Sequence, residues 1–85
     1  MESLKVFETV VNTKSYRLAR QRKDSKEYDL KSTSHAGNKK GWIFIDLFTA
    51  SAVMQVYNAL NDANKITFAK MPLIKMVNIT WRLIK

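Results

Sequence analysis

The apolar residues of this chain change their repeat near Thr49, and that change divides the fold into two kinds of structure. Downstream, Val53, Val56, Tyr57 and Leu60 recur at i, i+3, i+4 and i+7, the spacing of one buried helical stripe. Upstream, short runs rich in β-branched and aromatic residues are separated by polar turn formers, the pattern of antiparallel strands. Together the halves predict an α+β domain. An antiparallel meander of three to four strands, over residues 4–48, is followed by two or three C-terminal helices packed on one face.

The strand candidates are residues 4–11, 16–22, 27–32 and 42–48. The first is rich in β-branched residues and ends at Asn12-Thr13-Lys14-Ser15. Residues 32–40 are polar, contain Gly37 and Asn38, and read as a loop. In the helical half, Thr49 is a plausible N-cap with Asp46 close by. Asn58, Asn61, Asp62 and Asn64 favour a break, residues 63–70 form a short helix, and Pro72 suits the first turn of another. Residues 73–85 fit a helical face, yet Val77, Ile79, Trp81 and Leu83 also alternate as a strand would. Pro72 and the length of the segment favour helix, with strand as the alternative.

Eighty-five residues make one domain, 1–85, that buries only about 60% of its unfolded surface, so pairing with a second copy is an attractive source of stability. There is no cysteine and a single histidine, His35, in the polar loop. No Walker loop, dinucleotide fingerprint or nucleophile elbow is present, and no acids pair with evident acid–base geometry. The expectation is a protein that is not an enzyme, with no metal or cofactor. The longest apolar run, residues 41–48, carries Asp46 and is far too short to span a membrane. With Glu2 where a secretory leader wants bases, a soluble intracellular protein is expected, in cytoplasm or nucleoid. A small basic domain of this composition also suits a virus-encoded accessory protein, which would act in the host cell.

Charge points to a partner. The formal net charge is +8, and Lys14, Arg17, Arg20, Arg22, Lys23 and Lys26 crowd one stretch against the single acid Asp24. Lys39 and Lys40 stand just before the apolar run. Positive charge concentrated at one end of a small fold is the footprint of a polyanion binder. Nucleic-acid binding is therefore expected through Arg17, Arg20, Arg22, Lys23, Lys26, Lys39 and Lys40 on phosphates, with Tyr16, Tyr28 and Trp42 as stacking candidates. Six neutralised phosphates would give a log–log salt slope of about −5 on duplex and about −4 on single strands. The alternative is a protein-interaction module or inhibitor, whose cations dock on an acidic partner such as a transcription or replication component. Trp42 or Trp81 would anchor that contact.

Strand parity sharpens the question. If Tyr16 and Leu18 point inward, Arg20 and Arg22 fall on the inward parity too, which a core does not tolerate. Either the strand ends near Ala19, or a bulge re-aims the arginines, or this face is not core. Residues 42–48 pose the same choice. Ile43, Ile45 and Leu47 lie on one side, and Trp42, Phe44, Asp46 and Phe48 lie on the other. Helices cover one side of such a sheet only, and Asp46 marks its own side as the less buried one. In outline, strands followed by helices are similar to small sheet-plus-helix modules of the coactivator and Whirly type, which bind single-stranded DNA.

Overall fold

A computed structural model describes residues 1–33 and 40–84. His35, Lys39 and most of the expected loop lie outside the described residues. The element order is α1 (Ser3–Thr13), β1 (Arg17–Gln21), β2 (Tyr28–Ser32), β3 (Ile43–Ile45), α2 (Leu47–Ala59), α3 (Asp62–Ala69) and α4 (Leu73–Ile84). The α+β class holds, with an antiparallel sheet followed by C-terminal helices.

Three details differ from expectation. Residues 4–11 form a helix, not a strand. Val6, Phe7 and Val10 fall on one side of a 3.6-residue repeat and are fully buried, so a helical stripe overrides the β-branched composition. The helix ends at Lys14, in the left-handed conformation with φ 51° and ψ 37°. The sheet has three strands and is not a simple meander, because its order is β2-β1-β3 and β3 returns to pair with β1. The outline likeness to strands-first modules falls with the helical start.

The third difference lies at residues 42–48. Only Ile43–Ile45 is strand, because Asp46 starts the next helix. Its Oδ1 accepts from the Thr49 backbone N–H at 2.6 Å, so Asp46 is the N-cap and Thr49 lies within the first turn. Asp46→Ala should therefore cost about 0.5–2 kcal/mol. A melting temperature lowered by several degrees in a thermal scan would show it. Downstream, Asn61 caps α3 by accepting from Asn64 N–H at 2.8 Å. Pro72 precedes α4, and its carbonyl accepts from Met76 N–H at 2.9 Å. Residues 73–84 are helix, which settles the choice against strand.

One core holds these pieces together. Ala19, Tyr28 and Ile45 from the sheet join Val6, Phe7 and Val10 of α1, Ala50, Val53 and Val56 of α2, Phe68 of α3, and Leu73 and Met76 of α4. The stripe expected in the second half is the inner face of α2, with Tyr57 and Leu60 packed at its margin. Ser3 Oγ donates to the Met71 carbonyl at 2.7 Å, tying the start of α1 to the α3–α4 junction. All four helices thus gather on one side of the sheet.

Candidate nucleic-acid interface

Directly opposed residues of an antiparallel pair share a face. Ala19 stands opposite Leu30 and Ile43, and this row faces the helices. Leu18 stands opposite Lys31 and Phe44, and this row faces away from them. Arg20, two residues on from Leu18, shares that open face with its opposite neighbour Asp29. The inward parity of β1 is therefore Ala19, not Tyr16 and Leu18. Of the three ways to place Arg20 and Arg22, the last holds: their face is not the helix-packed core.

The open face is built from rings and cations. Tyr16, just before β1, meets Phe44 edge to face, with centroids 5.5 Å apart and planes at 69°. Tyr16 is 50% exposed and Phe44 54%. Leu18 is nearly fully buried yet lies outside the helix-side core. Gly41 takes φ +81°, a conformation that favours glycine, and leads the chain into Trp42. The half-buried indole of Trp42 carries two cations: Arg20 Cζ lies 4.5 Å from the ring centroid and Lys31 Nζ 4.3 Å. Such contacts are worth about 0.5–1 kcal/mol at exposed sites.

Acids on this side are already engaged. Arg22 Nε donates to Asp29 Oδ1 at 2.8 Å, and Arg22 Nη1 donates to Glu27 Oε2 at 3.3 Å. The hydrogen bond and charge of Asp29 hold the Arg22 guanidinium above its ordinary value, so it stays charged. The turn between β1 and β2 is closed by Arg22 N–H donating to the Glu27 carbonyl at 2.9 Å, and it exposes Lys23 and Lys26.

The expected residues do not all converge. Tyr16, Arg20 and Trp42 meet on the open face, with Arg22 beside them but paired to two carboxylates. Arg17 lies on the helix-side parity, half-buried, and donates to Ser15 Oγ at 2.7 Å and to the Tyr16 carbonyl at 3.1 Å. Lys26 borders a separate groove of about 740 Å³, shared with Tyr57, Lys65 and Lys70. Lys40 is exposed next to Gly41, and Lys39 lies outside the described residues. Tyr28 is not a stacking residue. It is 5% exposed in the core, and its hydroxyl accepts from the Leu73 backbone N–H at 3.0 Å. Phe44 stands with Tyr16, Arg20 and Trp42, on the side that the parity of residues 42–48 marks as the less buried one, and Lys31 joins them although it was not among the expected residues. The alternation of residues 27–32 carried the signal for Lys31, since Tyr28 in the core puts Lys31 on the face of Arg20.

Comparison with family models, curated proteins and solved structures finds no match to this chain. Among the described residues, no helix is long and apolar enough to cross a membrane. No group of three or more His, Cys, Asp or Glu among them is placed to hold a metal ion.

Proposed function

We propose that this chain is a small non-enzymatic nucleic-acid-binding protein of the cell interior, and that the open face of its sheet is the contact surface. The observation that carries the reading is one sheet face, turned away from the helices among the described residues, on which Tyr16, Trp42 and Phe44 stand with Arg20 and Lys31. A net charge of +8 supplies the long-range attraction. Rings alone would fit many partners; rings interleaved with cations fit a polymer of bases and phosphates.

A salt titration tests it. Arg17 and Lys26 face elsewhere, and Arg22 is held by two acids. Arg20 and Lys31 beside the rings, with the exposed Lys23 and Lys40, are the proposed phosphate contacts. Four contacts give a log–log slope of about −3 on single strands and somewhat steeper on duplex. No binding to any oligonucleotide at 50 mM salt rejects the reading.

A second observation favours a protein contact elsewhere. Phe48 of α2 is 75% exposed and stacks on Trp81 of α4 at 5.7 Å and 22°. Such a patch suits an acidic protein partner or a second copy of the chain. Variants separate the two surfaces: Phe48→Ser should abolish protein contact or self-association and leave oligonucleotide affinity unchanged.

A further inference from the structure

On the open face one indole carries two cations over its ring, and that ring is also what a nucleobase would stack on. We infer that the ligand of this face is an unpaired strand, and that an entering base displaces Arg20 and Lys31 from the Trp42 ring onto the flanking phosphates. This rests on the nucleic-acid reading above and adds the class of strand and the way it is seated.

The geometry supports exchange over simple addition. Both cations lie within 4.5 Å of the Trp42 centroid, within the range of a cation held by the ring quadrupole. A base that stacks on the ring takes the place of a cation there. Stacking of one base on the ring is comparable to the two exposed cation–π contacts it replaces, and the phosphates that take up both cations make the trade downhill. The displaced cations are not lost, because both side chains are long and root on adjacent strands, about 5 Å apart, beside the ring. Phosphates flanking the stacked base offer them a stronger partner than the indole.

Duplex is a poor ligand for the same surface. Its bases cover one another's faces and show only edges in the grooves, whereas rings on a sheet need unstacked bases. The face spans three strands, about 10 Å, and from Tyr16 to Arg20 runs about 13 Å along β1. That area holds two or three nucleotides. Tyr16 and Phe44, already edge to face and about half exposed, provide the neighbouring platform.

The experiment uses the full chain carrying Trp81→Phe, which leaves Trp42 as the one indole of two in the sequence. Three probes of equal length are titrated at 50 mM salt: oligothymidine, an abasic deoxyribose-phosphate strand, and a duplex. The expected result is quenching of Trp42 emission by oligothymidine, with affinity at least about tenfold above both other probes. Phe44→Leu should erase most of that preference, and circular dichroism will show whether the variant keeps its fold. Tyr16→Leu provides a second, independent reading of the same loss. Arg20→Gln should keep the preference for bases while making the salt slope on oligothymidine shallower by about 0.7. Equal binding of the oligothymidine and abasic strands, or unchanged Trp42 emission, overturns the inference while duplex binding leaves the nucleic-acid reading standing. Loss of the base preference in Arg20→Gln overturns the exchange, since Arg20 would then be holding the ring and not yielding it. Failure of all three probes to bind removes both.

Discussion

Phe7→Ala should lower the unfolding free energy by about 3–5 kcal/mol, the largest change expected from a single substitution in this chain. Phe7 is fully buried between the sheet and the helices, and truncation removes a large ring and leaves a cavity that the close-packed surroundings only partly fill. A domain of this size holds roughly 4–13 kcal/mol in total, so the variant would sit near the edge of folding. A urea titration followed by far-UV circular dichroism measures it as a midpoint displaced by two molar or more. The comparison variant is Phe44→Ala. That ring is 54% exposed on the open face, so its loss should move the midpoint far less while weakening oligonucleotide binding. A cost below about 1 kcal/mol for Phe7→Ala would mean that α1 is not part of the core.

Tyr28→Phe is the second large effect. The ring packs in the core, so the substitution keeps its apolar area and removes one oxygen. That oxygen accepts from the backbone N–H of Leu73, the first residue of α4, which has no partner within its own helix. Leaving this buried donor unsatisfied should cost about 1–3 kcal/mol. A hydroxyl forty-five positions away in sequence thus stands in for a helix cap. Nucleic-acid affinity should stay within twofold of the parent, measured on the same oligonucleotides at a temperature where both proteins are folded. A stable Tyr28→Phe protein with impaired binding would return Tyr28 to the interface and contradict its place in the core.

Legibility differed between the elements for physical reasons. The α2 stripe was legible because four apolar residues recur at helical spacing over two turns. The strand of residues 28–32 and the turn before it were marked by Lys23-Asp24-Ser25-Lys26, which favours reversal of the chain. Residues 4–11 misled because Val6, Val10 and Val11 favour strands on composition, whereas burial depends on which faces can be packed. The end of β3 was overrun because residues 42–48 are apolar but for Asp46, and only the bond from Thr49 to Asp46 shows where the helix begins. Tyr28 could not be separated from Tyr16 by type: both are tyrosines flanking cations, and one is 5% exposed while the other is 50%.

Composition and spacing alone determined the class of fold, the excess of positive charge and the stripes that the helices bury. These are sums over local properties and do not depend on what lies across the sheet. Tertiary structure decided which side of β1 became core, that β3 returned beside it, and hence which rings and cations meet. A strand repeats every two residues and offers two faces that its own sequence cannot rank, as Leu18 and Ala19 illustrate. Only when the helical core closes over the row of Ala19, Leu30 and Ile43 does the other row, with Arg20, Lys31 and Phe44, become the open one.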